Sequence, residues 1–425
     1  MKLKRMIVVL IVGVLAVSFT TAEAQAQKPT KAEFSILMFG SFVTKNDEIL
    51  KEIAKEFAAQ RGAKVEVDFV AIREMYPKLA AEAESKAGHD IVGFENLQVS
   101  VYQESLLSIS DVISKIQKKY GDFAAVTKEA CYRKGEWKAL PWWIVPFNAT
   151  YRMDYFAQVG ERAPESWDDL MRAGQKLKGI GHPIGFPLGS CGDANNSLYQ
   201  ILWAFGAKIA TSEGVIAIDS KETREAIAFV KELCDKAMTP DVLGWADNSA
   251  NNKFMLSGTG SWTFNPISVW VVAKRDLPDI AKQLNHHGAL SGVRGKFGAG
   301  DFYSLGIWKF SPNKKIAKDF LAYLYEKDVM NRYLASGDGF NLPTHPQFYD
   351  HPVFEDPKVA GIKGYTRWLH LTGWPAPPDA RAQEVYQRWV VPNMFMKIIS
   401  GSAPIEKAIN EAEKELVEVG YRAAK

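Results

Sequence analysis

WKALPWWIVPFNATYRMDY, residues 137–155, contains two prolines on either side of an apolar run that includes two adjacent tryptophans. Pro141 and Pro146 fix their own φ angles and hold the residue before each of them in an extended conformation. Such a run indicates a segment that crosses between two lobes, with its rigid aromatic rings facing a cleft. The alternative is a buried strand with both tryptophans in the core, since aromatic runs are usually core.

The two tryptophans of this stretch are neighbours, and this constrains their orientation. On an extended segment, successive side chains point to opposite faces. We therefore expect one of Trp142 and Trp143 to face the cleft and the other to pack in the core of a lobe. Trp142 is the favoured cleft residue because it directly follows Pro141 at the expected crossing.

The first 26 residues have the pattern of a cleavable signal peptide. Basic residues at 2–5 precede an apolar run at 6–17, and residues 22–26 carry alanines at alternate positions. A signal peptidase reads this pattern, and the apolar run is shorter than the about 20 residues of a membrane-spanning helix. We expect cleavage after Ala26 and export of a soluble protein to the periplasm.

The charge balance bears on the class of partner. The whole chain has a formal net charge of +3, and removal of residues 1–26 takes away three basic side chains and one acidic side chain, which leaves +1. This is not the balance of a protein that binds polyanions, so we expect no nucleic-acid partner. A chain of about 400 residues normally forms two domains or lobes.

Cysteine and histidine usage gives no indication of a metal or a cofactor. The three cysteines, Cys131, Cys191 and Cys234, form no CxxC motif, and their odd number leaves the disulfide state to geometry. His286 and His287 are adjacent but have no further ligands nearby in the sequence. We therefore expect neither a structural metal nor a cofactor.

After the signal sequence, the chain opens with a β-α-β-α-β pattern. Alternating apolar residues predict strands at 34–38, 65–69 and 90–94, with a helix in each interval. In an open, mostly parallel sheet, ligands bind outside the carboxyl ends of the strands. The loops at 40–44 and 94–98 are therefore candidate binding loops.

Later segments carry further helix and turn signals. Ser166 and Asp169 form a capping box at a helix start. The glycine-rich segment 179–196 predicts turns, and it is not a phosphate loop because no Gly-Lys-Ser/Thr follows. Residues 311–334 predict one helix, and Pro404 suits the start of an amphipathic C-terminal helix.

Several segments occur in the order found in a known family. They are a crossover segment at 135–141, an aromatic and acidic signature at 148–156 and 164–170, a glycine-tryptophan strand at 258–262, and a strand-to-helix segment at 305–321. Together they resemble the extracellular solute-binding proteins of ABC importers, the group that includes the maltose-binding protein. The chain departs from that family in having Tyr151-Arg152 where many members have Tyr-Asn, and in lacking the usual Ala-Ala-Met.

The resemblance implies an α/β, two-lobed periplasmic-binding-protein fold of type II, with a ligand cleft between lobes that are joined by three crossing segments. It also implies hinge closure around the ligand. The expected crossings lie near residues 138–142, 298–303 and 341–345. One lobe would then comprise residues 28–140 and 303–342, and the other lobe residues 141–300 and 343–425.

The favoured function is capture of a carbohydrate by a monomeric, non-enzymatic binding protein that delivers it to the permease subunits of an ABC importer. Sugars have an apolar C–H face and a rim of hydroxyl groups, which suit aromatic rings and polar side chains respectively. The candidate ligand-binding residues combine these two types and are Phe39, Ser41, Glu95, Asn96, Trp142, Trp143, Asn148, Tyr151, Arg152, Asp193, Trp262, Asp301, Phe302, Tyr303 and Trp374.

Three alternatives use the same sequence features. Carboxylates and aromatic faces also hold a polyamine or another cationic solute. An anionic solute would depend on Arg152 and Arg73. A periplasmic carbohydrate enzyme would need a paired acid and base; no local motif supplies one, although distant carboxylates can meet in a cleft. The identity, length and linkage of a sugar are not encoded in any motif of the sequence.

Overall fold

The computed structural model of this chain describes residues 33–424, so the expected signal peptide at 1–26 lies outside the described residues. The strands of the described part are β1 (Glu33–Phe39), β2 (Lys64–Val70), β3 (Ile91–Glu95), β4 (Tyr132–Arg133), β5 (Glu136–Trp137), β6 (Ala139–Pro146), β7 (Ala149–Arg152), β8 (Trp262–Phe264), β9 (Leu284–His287), β10 (Ser291–Gly292), β11 (Gly295–Lys296), β12 (Gly300–Ile307) and β13 (Leu342–Pro343).

The α-helices of the same part are α1 (Thr44–Gln60), α2 (Ile72–Ser85), α3 (Gln98–Tyr102), α4 (Ser110–Tyr120), α5 (Ala125–Cys131), α6 (Met153–Gln158), α7 (Trp167–Gly179), α8 (Gly192–Phe205), α9 (Lys221–Lys236), α10 (Ala250–Leu256), α11 (Ser268–Asp276), α12 (Pro278–Gln283), α13 (Lys314–Tyr323), α14 (Lys327–Ser336), α15 (Ala380–Gln387), α16 (Val390–Ile399) and α17 (Ile405–Glu418). Short 3-10 helices cover Pro240–Gly244, Pro346–Phe348, Pro352–Glu355, Ala360–Ile362 and Tyr365–Arg367.

The larger sheet has six strands in the order β13-β6-β12-β3-β1-β2. β1 pairs in parallel with β2 and β3, whereas β12 runs antiparallel to both β3 and β6. Helices α1 and α2 connect the parallel strands, so the predicted β-α-β-α-β opening is confirmed. Every residue of β3 is buried, as befits a central strand of an α/β sheet.

The smaller sheet has three antiparallel strands in the order β8-β7-β9. Beside it, α8 packs against α9 and α16, and nearly all of its residues are buried. Residues 192–196, at the end of the glycine-rich segment, therefore form the start of α8 instead of the expected turns. Burial between two helices stabilises a helical backbone there, because packing of a helix contributes more than local propensity.

The first crossing between the sheets lies further along the chain than we expected. β6 stays in the larger sheet from Ala139 to Pro146, because β12 pairs with it along this length and β13 pairs with its second half. β7 begins in the smaller sheet at Ala149, so the chain crosses at residues 147–148 and not near 138–142. The expected lobe boundary at residues 140/141 is corrected accordingly.

The second crossing lies where β12 begins. Phe147 N donates a hydrogen bond to Ala299 O at 3.0 Å, so the first two crossings lie side by side. The third crossing follows β13, after Pro343. We define lobe 1 as residues 33–146 and 300–343, which contain the larger sheet, and lobe 2 as residues 149–299 and 372–424, which contain the smaller sheet.

Residues 344–371 contact both lobes and the crossings, instead of belonging to lobe 2 as expected. Phe348 packs on Tyr325 of lobe 1, with 6.2 Å between ring centroids, whereas Lys358 Nζ donates to Leu284 O of lobe 2 at 2.5 Å. The buried Tyr365 hydroxyl lies 2.9 Å from Phe147 O and 3.0 Å from Ala299 O. This segment therefore fastens the two lobes together at the hinge.

Two helix predictions have different outcomes. Ser166 Oγ accepts a hydrogen bond from Asp169 N at 3.1 Å at the start of α7, so the predicted cap is confirmed. The single helix predicted over 311–334 is wrong, because α13 and α14 are separate. Tyr325 lies between them, buried, with its hydroxyl bonded to Pro141 O and Thr344 Oγ1, and this anchor bends the chain.

Within residues 33–424, no helix is both long enough and apolar enough to cross a bilayer.

Candidate functional site

The lobes meet at a narrow cavity, with free space of about 20 Å³, beside the second crossing. Side chains of both lobes line it, and polar groups alternate with aromatic rings. The lining residues are Phe42, Ile72, Val145, Phe147, Asp193, Asn248, Asn252, Asn265, Pro266, Ser268, Asp301, Tyr303 and Phe340. The cavity lies at the carboxyl ends of β1 and β3, which is where the sequence predicted ligand binding.

A larger groove, of about 620 Å³, lies on the outer surface of lobe 2 between α17 and Ile216. It opens to solvent, and its walls come from one lobe alone. The interlobe cavity is the better candidate site, because a ligand there would contact both lobes at once.

Two carboxylates, Asp193 and Asp301, line this cavity, and a third, Glu95, is buried close to both of them. Glu95 is the last residue of β3 and pairs with Tyr303 on β12. Asp301 lies two residues before Tyr303, hence on the same face of the strand. Asn196 Nδ2 donates to Asp301 Oδ1 at 2.8 Å, and Asp193 lies one helical turn earlier on α8. We call Glu95, Asp193 and Asp301 the cleft carboxylates.

Neutral donors hold each of the cleft carboxylates. The Tyr76 hydroxyl of α2 donates to Glu95 Oε2. Asn251 Nδ2 donates to Asp193 Oδ2 at 2.7 Å, and the Tyr386 hydroxyl lies 3.4 Å from Asp301 Oδ1. These bonds fix the three side chains in place while leaving oxygens for a ligand.

Burial and mutual repulsion shift the protonation of these acids. Burial raises the pKa of Glu95 to about 8, and the neighbouring charge of Asp301 adds to the shift. Burial also raises the pKa of Asp193 and that of Asp301 above their ordinary values. Three carboxylates this close therefore resist carrying three negative charges in the empty cavity.

An aromatic cluster supports the lobe 1 wall. The Tyr303 ring lines the cavity, and its centroid lies 4.5 Å from that of Phe39 and 3.9 Å from that of Trp143. Trp142 instead packs on Tyr333 of α14, at 5.1 Å. The expectation that Trp142 would face the cleft is therefore corrected. The pairing of β6 with β12 shifts at Trp142, because Tyr303 pairs with Trp143 and Ser304 pairs with Pro141. Both tryptophans are buried, and Trp143 packs behind Tyr303 of the cavity wall.

Several other predicted site residues lie away from the cavity. Arg152 forms an ion pair with Asp154, at 2.6 Å, beside the smaller sheet. Trp262 Nε1 donates to His287 Nε2 at 2.8 Å in the lobe 2 core. Trp374 stacks on His370, with 4.0 Å between ring centroids. These side chains are occupied by protein partners within lobe 2 or beside it.

The remaining predicted residues surround the site without lining it. Asn96 Oδ1 accepts from Phe302 N at 2.9 Å, which places the Asn96 amide beside Asp301 while the Phe302 ring is buried. Ser41 N donates to Asp47 at 3.0 Å, next to the lining residue Phe42. Asn148 Nδ2 donates to Ala149 O, and Tyr151 packs on Phe156 within lobe 2.

Sequence reasoning missed part of the site. Tyr76 and Tyr386 hold cleft carboxylates, but each is one aromatic residue in an ordinary helical pattern. The asparagines of residues 248–252 supply cavity walls and the partner of Asp193. Three asparagines within five residues are an unusual density for a helix start, and this signal was available in the sequence.

Hydrogen bonds across the cleft hold the lobes together. Arg73 of α2 donates through Nη2 to Ala246 O at 2.7 Å and to Ser190 O at 3.2 Å. Leu97 N, after β3, donates to Gln383 Oε1 at 2.8 Å. These bonds join the two lobes on both sides of the cavity.

Neither metal coordination nor a disulfide contributes to the described site. Within residues 33–424, no group of three or more His, Cys, Asp or Glu side chains is arranged to hold a metal ion. Cys131, Cys191 and Cys234 are all free thiols, and the first two are buried.

Comparison with known proteins identifies the family. The family profile described as bacterial extracellular solute-binding protein matches residues 52–361. No curated protein sequence matches the chain. Among solved structures, this fold is similar to maltose-bound T. maritima MalE3, with 21% identity, a TM-score of 0.78, and coverage of 91% of this chain and 100% of that chain.

Two further solved structures show the same architecture. A sugar transporter protein from Arthrobacter chlorophenolicus A6 with bound laminaribiose has 18% identity and a TM-score of 0.76, covering 92% of this chain and 99% of that chain. An ABC transporter solute-binding protein from Agrobacterium radiobacter K84 in complex with ribitol has 16% identity and a TM-score of 0.78, covering 92% and 100%. The chain thus has the two-lobed MalE-type fold and belongs to the bacterial extracellular solute-binding protein family.

Proposed function

We propose that this protein captures a carbohydrate in the interlobe cavity and delivers it to an ABC importer. The observation that carries the proposal is the lining of the cavity, where Asp193, Asp301 and several amides lie beside aromatic rings of lobe 1 and of the first crossing. Carboxylate and amide groups bond to sugar hydroxyls, and aromatic faces cover the apolar face of a sugar ring. The similar structures named above contain maltose, laminaribiose and ribitol.

Within this proposal, the direct contacts come from a part of the residues that the sequence indicated. Glu95, Asn96, Asp193, Asp301 and Tyr303 contact the solute. Phe39 and Trp143 act by holding the Tyr303 ring in place.

Closure of the lobes is the proposed capture step. A solute that contacts both lobes favours the closed arrangement by the difference between its affinities for the closed and open states. The side-by-side crossings and the Tyr365 contacts form the proposed hinge. The closed protein then presents a surface made of both lobes to the permease subunits, and it acts as a monomer.

Export and compartment belong to the same proposal. Residues 1–26 would be removed as a signal peptide, and the mature protein would begin near Gln27 in the periplasm. Mass spectrometry of the protein released by osmotic shock tests this step. Retention of Met1 on membrane-bound material would contradict it.

A screen of sugars and polyols by thermal shift tests the binding function. A ligand that binds only the folded protein raises the free energy of unfolding, by about 2.7 kcal/mol when the ligand concentration is 100 times Kd. Small-angle scattering with the solute that binds should give a smaller radius of gyration than without it. Failure of every sugar and polyol in the screen to raise the melting temperature would contradict the carbohydrate proposal.

The same screen separates binding from catalysis. A carbohydrate enzyme would convert its substrate, whereas a binding protein retains it in stoichiometric amount. Analysis of the oligosaccharides after prolonged incubation should show no products. Turnover that is lost in both Glu95→Gln and Asp301→Asn would instead identify these carboxylates as an acid and base pair.

A further inference from the structure

A second space between the lobes lies outside the candidate site. It is a groove with free space of about 330 Å³, which falls within the usual range for ligand pockets. Glu129 of α5 supplies its lobe 1 wall, and Ser212 and residues 372–378 supply its lobe 2 wall. The groove and the interlobe cavity share no lining residue. It is therefore a separate space, which we call the hinge groove.

Trp374 gives the hinge groove a fixed aromatic wall. His370 stacks on the indole, with 4.0 Å between ring centroids, and Trp203 Nε1 donates to the carbonyl oxygen of Trp374 at 2.8 Å. The prolines of residues 375–378 lie beside it in the groove and add rigid apolar rings. The sequence indicated Trp374 as a ligand-binding residue, and the hinge groove is the space that this side chain lines.

Thr372 has a buried hydroxyl group without a partner in the protein. Its side chain lines the hinge groove and the residue is 6% exposed. Within residues 33–424, no hydrogen bond involves this hydroxyl group. A buried polar group that lacks a partner is costly, and a ligand hydroxyl in the groove would satisfy it.

Arg133 ties the two walls of the hinge groove together. Its Nη2 donates to Glu129 O of lobe 1 and to Pro378 O of lobe 2, the latter at 2.7 Å. The guanidinium thus bonds to backbone oxygens, and the Glu129 carboxylate keeps its own oxygens free to accept hydrogen bonds. A molecule in the groove would contact both lobes at once.

This combination of walls matches one class of ligand. A flat indole and rigid proline rings can cover the apolar C–H face of a sugar ring. The Thr372 hydroxyl and the Glu129 carboxylate line the same groove and can bond to the hydroxyl groups around that ring. An acyclic polyol offers the hydroxyl groups without the flat face.

We propose that the hinge groove is a second binding site, which holds a sugar ring between α5 of lobe 1 and residues 372–378 of lobe 2. The ring stacks on Trp374, and its hydroxyl groups bond to Thr372 and Glu129. This site is distinct from the interlobe cavity in which the solute is proposed to bind.

Nuclear magnetic resonance tests this assignment through the indole N–H signal of Trp374, which is identified by its absence from the spectrum of Trp374→Phe. Glucose and maltose are titrated as probes, and sorbitol is the acyclic counterpart of glucose. The signal should shift in a saturable way with the sugars, at concentrations roughly tenfold lower than with sorbitol. Absence of a saturable shift with both sugars overturns the assignment, and equal binding of sorbitol overturns the stacked ring.

A solute in the interlobe cavity would also move this signal if the lobes rearranged around it, so the titration is repeated with Asp301→Asn. A shift with an unchanged dissociation constant in this variant comes from the hinge groove. A shift that weakens together with solute binding comes from the cavity; it overturns the groove assignment and leaves the proposed function standing. A persistent Trp374 shift, with no loss of affinity in any cavity variant, supports the groove and contradicts solute binding in the cavity.

Variants of the polar groups provide the second arm. Thr372→Val and Glu129→Gln each remove one hydrogen-bonding group or charge with little change in shape, and each should weaken binding in the groove roughly three- to tenfold. Thr259→Val and Glu225→Gln are the matched controls, since both residues lie on lobe 2 outside the groove, and they should leave the affinity unchanged. Wild-type affinity in both groove variants would overturn the assignment.

Discussion

Two groups of buried acids in this protein differ in whether a cation accompanies them. In lobe 1, Glu82 lies 2.6 Å from His89 Nδ1, and Trp308 Nε1 donates to the same carboxylate at 3.0 Å. The other nitrogen of His89 lies 3.0 Å from Asp68. The cleft carboxylates have tyrosines and asparagines around them, and no cation is paired with them in the described chain.

The protonation of the two groups shifts in opposite directions. Burial would raise the pKa of Glu82, but the hydrogen bonds from His89 and Trp308 outweigh it and hold that pKa below its ordinary value. The hydrogen bond to Glu82 raises the pKa of His89. Burial raises the pKa of Glu95 to about 8. Glu82 is thus paired within the fold, whereas the cleft carboxylates are not; Asp90 of lobe 1 is likewise buried and held only by neutral donors, so the lack of a cation is not confined to the cleft.

The largest expected effect comes from breaking the paired group. Glu82→Ala leaves His89 and Trp308 without their shared acceptor, and loss of one member of a buried charged pair costs roughly 3–5 kcal/mol. Urea denaturation should show this loss in the free energy of unfolding. Glu104→Ala, which removes an exposed ion pair with Lys134, should leave the free energy of unfolding almost unchanged. Equal effects in the two variants would contradict the structural role of the Glu82 group.

Removing an acid from the unpaired group should affect binding and not folding. Glu95→Ala and Asp301→Ala should each weaken binding of the solute found in the screen by about 1.5–3 kcal/mol. The melting temperature of the empty protein should stay close to that of the wild type, since neither acid belongs to an ion pair and each is held by neutral donors. Calorimetry measures the first effect and circular dichroism the second. Unchanged affinity in both variants would show that the solute binds elsewhere.

The pH dependence of stability gives a smaller but independent comparison. Folded Glu95 keeps its proton up to about pH 8, whereas in the unfolded chain it ionises near its ordinary pKa of 4.5. The unfolded state therefore binds fewer protons in this window, and the stability of the empty protein falls as pH rises from about 5 to 8. The groups facing Glu95 are Tyr76, Asp301 and Asp193.

Glu95→Gln isolates this contribution from that of His89. The raised pKa of His89 also makes stability fall as pH rises, but this contribution is common to the wild type and the variant. The difference in unfolding free energy between the two proteins should change by about 1 kcal/mol per pH unit over the window. Parallel stability curves would mean that Glu95 is ionised in the folded, empty protein.

Much of the fold could be predicted because it depends on local patterns. Period-two and period-four apolar residues give the β-α-β-α-β opening, and Ser166 with Asp169 marks a helix start. The start of α8 could not be read from its glycine and asparagines, because its helical backbone is stabilised by helices distant in sequence.

The candidate site was partly predictable for a similar reason. Glu95 and Asp301 lie at strand ends that a sheet brings together, and the strand pattern gives those ends. The choice between Trp142 and Trp143 depends on the register of β6 against β12, which proline spacing does not determine. Tyr76 and Arg73 act across space from α2, and nothing in their local sequence marks that role.

The smallest expected effect concerns the bonds that hold the closed cleft. Arg73 is exposed, and its two hydrogen bonds to Ala246 O and Ser190 O join the lobes without touching the cleft carboxylates. Arg73→Ala should weaken solute binding by about 0.5–1 kcal/mol, because exposed charged contacts contribute little. The loss should appear in the dissociation rate, since the bonds form only after the lobes have closed.

Arg332→Ala is the matched control for this last prediction. Arg332 is a half-exposed arginine whose partners, Glu52 and Glu56, lie within lobe 1, so its loss should leave binding unchanged. Stopped-flow fluorescence of both variants gives the dissociation rate of the solute. Scattering curves at saturating solute show whether the lobes still close around it. A dissociation rate for Arg73→Ala equal to that of the wild type would show that the solute itself, through the unpaired carboxylates, supplies the closing free energy. In that case the contrast between the two groups of acids would account for closure as well as for binding.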